Sequence, residues 1–344
     1  MKVMMVGSAR ESRGGVATVI RTLESLPAWK EFDCYWLGTQ IQRNYAWKVW
    51  YALKSYFIAL CIIWRYDIIH FHTVPDRICL IIQLPIFLLA RIGRKKIIMH
   101  IHMGNQLAEH TKNGLFKWCL NRSDLVVLLA KKWKALFDEK FSDVKVPTAV
   151  LYNPSTHVEK VDWGCKQKLI IMVGFLNDNK APNVLLKAWD MIHEEYPEWR
   201  VAILGNGEVE RFKRMAEDMG LQDSVQFTGY LVGKEKENYF EEASIFCMCS
   251  YQEGFPMVVL EAWEHDICVV TTPVGGLPDV LEEGKNALTF DFGDARGLAD
   301  QLIRLMDSES LRRQLADYSY NFVEEHFSAE EIDREQCRIY ENLH

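Results

Sequence analysis

The sequence predicts an α/β protein made of two doubly wound parallel-sheet domains facing each other across a cleft. Three observations lead there. Short apolar runs alternate with amphipathic segments along the chain, the pattern of parallel strands joined by helices. The apolar runs are continuous rather than alternating, as in strands buried on both faces. This rhythm occurs twice, on either side of a polar stretch from Asn153-Pro154-Ser155 to Gly164.

In the first half the strand candidates are Met1–Val6, Phe32–Leu37, Asp67–Phe71, Lys96–His102 and Asp124–Leu129. Helical segments include Ala46–Arg65 and Asp76–Arg91. In the second half they are Leu169–Val173, Arg200–Leu204, Ser224–Phe227, Ile245–Cys249 and Cys268–Thr272. The helix from Pro182 to His193 places Leu185, Leu186, Trp189 and Ile192 on one face. Ser328-Ala329-Glu330-Glu331 reads as a capping box opening a last helix. The expected domains are 1–158 and 159–327, with 328–344 as a terminal helix.

The 344 residues suffice for two domains, and 49% hydrophobic with 25% charged residues is a globular profile. A net charge of -7 argues against nucleic-acid binding. Nine cysteines without regular spacing, and no signal-peptide pattern at Met1-Lys2-Val3, point to a reducing cytoplasm. Cys247 and Cys249 lie in an apolar strand pattern and read as buried thiols. The most apolar segment, Cys79–Ala90, holds about twelve residues, short of the ~20 that cross a bilayer. The stretch from Ala46-Trp47-Lys48-Val49-Trp50-Tyr51 to Trp64-Arg65-Tyr66 mixes aromatic and basic residues at helical spacing. Such a face suits an anionic membrane surface, or an aromatic-rich core helix with a solvated basic edge.

The most informative stretch is Glu253-Gly254-Phe255-Pro256-Met257-Val258-Val259-Leu260-Glu261. Pro256 suits a first helical turn, so Glu253 falls in the loop after a strand and Glu261 inside the following helix. The amides of Met257, Val258 and Val259 would then be free, and helix N-termini favour phosphate. An anion site flanked by two carboxylates that accept from hydroxyls is what a nucleotide sugar needs. Ligands of doubly wound sheets bind outside the carboxyl ends of strands, and the other motifs fall at such ends. Gly14-Gly15 opens the first helix, where backbone can approach a phosphate, although a glycine pair there is by itself often only a turn. It is not Gly-x-Gly-x-x-Gly, so a nicotinamide dinucleotide site is poorly supported. Lys180, after Gly174-Phe175-Leu176-Asn177-Asp178-Asn179, either reaches a diphosphate or is a solvated loop lysine. His100 and His102 share one side of a strand, as do His70 and His72. His102 beside a glycine turn suits a donor to a sugar hydroxyl or an acid/base group, and equally a structural role. No carboxylate or cysteine sits at supporting spacing, so no metal is expected at either pair.

With these motifs the chain resembles the GT-B-fold glycosyltransferases, specifically the large retaining family four, over nearly its whole length and most strongly from Leu169 to Phe290. The resemblance implies two facing Rossmann-like domains, with the last helix crossing back to the N-terminal one. It implies that Glu253 contacts donor-sugar hydroxyls and supports the reacting centre, and that Glu261 holds the ribose diol. By the same likeness Gly14, Gly15 and Lys180 lie near the donor diphosphate and His102 beside the transferred sugar. Glu253, His102 and Lys180 are thus the expected catalytic residues. Phe227-Thr228-Gly229 matches the family's Phe-x-Gly segment, so backbone at Tyr230 and Leu231 would read the base. Gly254, Phe255, Pro256, Met257, Val258 and Val259 complete the donor site, and Gly275-Gly276 matches a late turn.

The chain departs from the family at Phe175, where an Arg is usual, and at Ala181, Asp266 and Cys268, where Gly, Gly and Pro are usual. Phe175 removes a diphosphate cation. Either Lys180 with helix N-termini suffices, or Arg10 or Arg13 enters from the first loop, or activity is weak; the first two are favoured. The implied function is transfer of a sugar, with retention, from a UDP- or GDP-sugar to a hydroxyl of a growing glycan or lipid-linked acceptor, in cell-surface polysaccharide such as capsule synthesis. No metal or other cofactor is expected. The transition state is oxocarbenium-like by analogy with glycoside hydrolysis. With no evident covalent nucleophile, family analogy gives a front-face route. The expected location is cytoplasmic, with peripheral contact at the inner membrane face. A non-catalytic nucleotide-sugar binder and a nucleotide-sugar epimerase are the alternatives.

Overall fold

The apolar runs do become parallel strands. The computed structural model describes residues 1–12, 14–41, 44–155, 158–160 and 162–343. The strands are β1 (Val3–Ser8), β2 (Tyr35–Gln40), β3 (Ile68–Thr73), β4 (Lys96–Ile101), β5 (Leu125–Leu128), β6 (Thr148–Val150), β7 (Gln167–Val173), β8 (Arg200–Leu204), β9 (Val225–Gly229), β10 (Ala243–Met248), β11 (Cys268–Thr271) and β12 (Leu288–Thr289). One sheet runs β2-β1-β3-β4-β5-β6 and the other β12-β11-β10-β7-β8-β9, with parallel pairing throughout. Two compact units result, Met1–Pro154 with Phe327–His344, and Ser155–His326. Ten of the strands fall within a few residues of their expected positions. The sequence reading missed β6 and β12, which are three and two residues long, lie at sheet edges and carry no apolar run to announce them.

Strand order decides where a ligand can enter. Counted from β7, the second sheet has the 3-2-1-4-5-6 order of doubly wound domains, and its winding reverses between β7 and β10. The loops after these two strands leave toward opposite faces, opening a crevice at their carboxyl ends. In the first sheet the reversal lies between β1 and β3. Leu169–Met172 of β7 and Ile245–Met248 of β10 are buried without a break, because helices cover both faces. Trp189, Trp199 and Phe212 fill the core of the second unit, and Trp189 Nε1 donates to Ser224 Oγ at 2.9 Å.

In the first unit, the terminal helix Ala329–Glu341 starts at Ser328, whose hydroxyl accepts from Glu331 N as the capping box predicts. Asp333 accepts from Ala28 N at 3.1 Å through either oxygen, and Tyr340 packs edge-on against Phe32. Helix Tyr45–Ile62 is capped by Asn44 and helix Arg77–Ile92 by Asp76. The two pack on each other, and the first seats Ala52, Ser55 and Ala59 inward against the sheet. Its opposite side is open: Tyr45 is 81% exposed, Phe57 70% and Trp50 58%. Among the described residues, Tyr45–Arg65 is the one helix long and apolar enough to cross a membrane, at 21 residues and mean hydropathy 1.3. Cys79–Ala90, the most apolar segment of the sequence, lies within the shorter helix Arg77–Ile92.

Candidate active site

The crevice between β7 and β10 gathers the second unit's predicted residues. Lys180 comes from the loop after β7 and Glu253 from the loop after β10; Lys180 Nζ meets Glu253 Oε1 at 2.5 Å, both half-buried. Asn179 fastens the loops together. Its side chain donates to Gln252 O at 3.0 Å and accepts from Gln252 N at 3.1 Å, while its carbonyl accepts from Tyr251 N at 2.7 Å. Lys180 N donates to Asn177 Oδ1, and Gly174 leaves room for the lysine stem, since a Cβ there would lie 3.0 Å from Lys180 Cε. A third loop supports Glu253 from β11. Gly276 N donates to Gly254 O at 2.8 Å, and Gly275, at φ +70°, presses so close that a Cβ would come within 2.9 Å of Glu253 Cβ.

Pro256 is the N-cap of helix Met257–Glu264, one position earlier than the first-turn placement expected of it. Val259 N donates back to Pro256 O at 3.2 Å, so it is not among the free amides. The amides of Met257 and Val258 have no such acceptor among the described residues. Phe255 and Pro256 are buried beneath them, which fixes the turn. Glu261 lies one helical turn on, ion-paired with Lys236. Gly229, at φ +73°, ends β9, with Tyr230 exposed and Leu231 half-buried after it. The departures now have a setting. Phe175 is 57% exposed on the β7 loop. Ala181 and Asp266 both adopt left-handed backbone, at φ 49° and 55°, where glycine is unstrained. Cys247 and Cys249 are buried with sulfurs 3.6 Å apart, and burial pushes the Cys247 thiol well up.

In the first unit, Gly14 is the N-cap of helix Gly15–Ser25, and a Cβ on Gly15 would meet only open space. Arg10 is ion-paired with Glu24 and lies 5.3 Å over Trp36, so its guanidinium is already engaged. Arg13 lies outside the described residues. His102 follows β4, half-buried, with Nε2 2.9 Å from His72 Nδ1. His70 Nδ1 lies 2.8 Å from Tyr340 Oη. Burial holds His70 and His102 down to about 3, and His72 and His100 well below the ordinary imidazole value. His70, His72 and His100, drawn from both alternating pairs, bring ring nitrogens within 4.8 Å of one another. Their rings are stacked or tilted on one another, His70 and His100 with planes 15° apart, His70 and His72 30° apart and His72 and His100 43° apart.

Sequence reasoning missed Asn179, Lys236 and His72 as site residues. A loop Asn carries no periodic signal, and Lys236 sits in Lys234-Glu235-Lys236-Glu237, which reads as a solvated face. Gly275→Ala tests the three-loop arrangement. It should cost about 1–3 kcal/mol of stability in chemical denaturation and weaken nucleotide binding at least tenfold; unchanged binding would show that Glu253 does not depend on that support.

The family model described as glycosyl transferases group 1 matches residues 155–322. An uncharacterized glycosyltransferase of Haemophilus influenzae is 29% identical over 215 residues, 62% of this chain and 60% of that protein. The GalNAc-alpha-(1->4)-GalNAc-alpha-(1->3)-diNAcBac-PP-undecaprenol alpha-1,4-N-acetyl-D-galactosaminyltransferase of Campylobacter jejuni is 24% identical, over 66% of this chain and 64% of its own length. The chain thus spans less than two thirds of either relative. HepE from Anabaena, solved in complex with UDP-glucose, aligns over 99% of this chain and 100% of its own at a TM-score of 0.80 and 16% identity, a likeness of fold. By that match residues 155–322 of the second unit resemble glycosyl transferases group 1, and the fold of the chain is the GT-B fold that HepE shares.

Proposed function

We propose that the protein transfers a sugar from UDP-sugar to a hydroxyl of a lipid-linked glycan, with retention of anomeric configuration and without a metal. The observation that carries this is the Lys180–Glu253 pair at the β7/β10 reversal of a unit that resembles glycosyl transferases group 1. A cation and a carboxylate side by side match a ligand with a diphosphate next to a polyol. Lys180 and the amides of Met257 and Val258 take the diphosphate charge, with the helix dipole aligned to help. In the first unit, the amides at Gly14 and Gly15 open a helix and suit a phosphate in the same way. Glu253 accepts from a donor-sugar hydroxyl, Glu261 exchanges Lys236 for the ribose diol, and backbone at Tyr230 and Leu231 reads the base. His102, in the first unit, donates to a sugar hydroxyl. In the step itself the anomeric C–O bond to phosphate breaks as the acceptor oxygen bonds to the same face. The acceptor proton passes to the departing phosphate oxygen. HepE's complex with UDP-glucose supports UDP over GDP, and the undecaprenol-linked substrate in the Campylobacter relative's name supports a lipid-linked acceptor.

The acceptor reading is joined by the open helix face. Trp50, Leu53, Phe57, Leu60 and Trp64 are exposed on Tyr45–Arg65, and Ile78, Ile81, Leu88 and Ile92 on the neighbouring helix. Lys48, Lys54, Arg65, Arg77, Arg91 and Arg94 are interspersed or flanking, and neither stretch contains Asp or Glu. A patch of this size on a basic background suits the headgroup region of an anionic bilayer. Ala52, Ser55 and Ala59 commit one side of the helix to the sheet, which favours lying on the surface over crossing it. The product would serve cell-surface polysaccharide such as capsule, and the protein would work peripherally at the cytoplasmic face of the membrane.

Two experiments test these readings. In steady-state turnover of UDP-sugars with a lipid-linked acceptor, Lys180→Ala and Glu253→Gln should each lower kcat roughly 100-fold. Wild-type rates in both would overturn the site, and turnover of GDP-sugars alone would overturn the base. In liposome flotation, the protein should rise with anionic but not neutral vesicles, and W50S/F57S should abolish this. Equal flotation of wild type and variant would remove the membrane face.

A further inference from the structure

We propose that His72 is a positioning residue: its Nδ1–H donates to His102 Nε2, fixing the His102 proton on Nδ1 and making that nitrogen a donor to a sugar hydroxyl. This rests on the reading of His102 as a sugar contact and supplies what that reading lacks, namely which nitrogen points out and in which protonation state.

The two nitrogens are 2.9 Å apart. Burial keeps both rings neutral, so the contact holds one proton and the two tautomers are coupled. In one arrangement His72 donates from Nδ1, its Nε2 is bare, and His102 carries its proton on Nδ1. In the other His102 donates from Nε2, and His72 must carry a proton on its own Nε2. That atom is fully buried with no hydrogen-bond partner among the described residues. A buried N–H without an acceptor is rarer than a buried acceptor without a donor, so the first arrangement is favoured. His70 follows the same economy, with Nδ1 on Tyr340 Oη and Nε2 buried without a partner.

His72 is held where this bond requires it. Its carbonyl accepts from Gln83 Nε2 at 3.2 Å. A Cβ on Gly7 of the adjacent strand would come 3.3 Å from His72 Cβ and 2.6 Å from Ile20 Cδ1, so a glycine there leaves both in place. His102 N donates to Thr73 O at 2.8 Å, keeping the ends of β3 and β4 level. His102 Nδ1 has no hydrogen bond among the described residues and remains available to a ligand. A hydrogen-bond partner on one ring nitrogen sets the tautomer of a histidine whose other nitrogen does the work.

The test is long-range 1H–15N correlation of the protein labelled with ring-15N histidine, with His102 assigned by loss of its signals in His102→Gln. Wild type should show His102 protonated on Nδ1. His72→Leu should lose that tautomer and lower kcat/KM for donor turnover roughly tenfold. His72→Asn, whose amide N–H stands where Nδ1 stood, should restore both. A wild-type His102 protonated on Nε2, or a folded Leu variant that keeps the Nδ1 tautomer, overturns the proposal. The spectrum of the wild type decides even if the Leu variant does not fold. Wild-type turnover by His102→Ala would instead sink the sugar-contact reading, and the spectrum distinguishes that failure from this one.

Discussion

Side-by-side placement of β7 and β10, with helices departing to opposite faces of the sheet, is the constraint on which the rest depends. Parallel strands joined by right-handed crossovers must reverse their winding somewhere if both faces are to be covered, and at the reversal no helix fills the space above the strand ends. The second unit uses that space for charge. Lys180 and Glu253 meet there because Asn179 ties one loop to the other and Gly275 lets a third loop close against them. An ion pair of this partly solvated kind contributes ~1 kcal/mol or less to stability. Under the proposed function its worth is in being placed in advance, so that a diphosphate and a sugar would meet groups already oriented.

The fold was legible because buried parallel strands announce themselves as apolar runs, and the Glu253-to-Glu261 loop because a strand, a Gly-Phe-Pro turn and a helix are each locally encoded. What was not legible is pairwise. Nothing in Asn179 or Lys236 distinguishes a loop clamp or a carboxylate partner from solvated surface until the chain is folded. Val259 shows a smaller version of the same limit. Its place at the helix start is clear from Pro256, but whether its amide turns outward or back to the Pro256 carbonyl depends on the tightness of the turn. The histidines were visible as two alternating pairs. Their assembly into one patch follows from β3 and β4 being neighbours in register, His72 opposite His100, which sequence does not state.

The departures from the family pattern carry different weights. Ala181 and Asp266 keep the left-handed backbone that glycine would adopt more easily, so the geometry is conserved at a local cost of about 1 kcal/mol each. Phe175 changes chemistry rather than shape, since an exposed ring stands where a cation is usual. Arg10 is engaged with Glu24 and Trp36, so in the proposed function the counter-charge to the diphosphate falls to Lys180 and the helix amides.

The central claim, that nucleotide binds at the β7/β10 reversal, is tested most directly by hydrogen–deuterium exchange with and without saturating UDP. Bound ligand slows exchange where it suppresses local opening. Protection concentrated in 174–181 and 250–262 is the result expected. Protection that leaves those two segments unchanged while appearing elsewhere in the second unit would contradict the account.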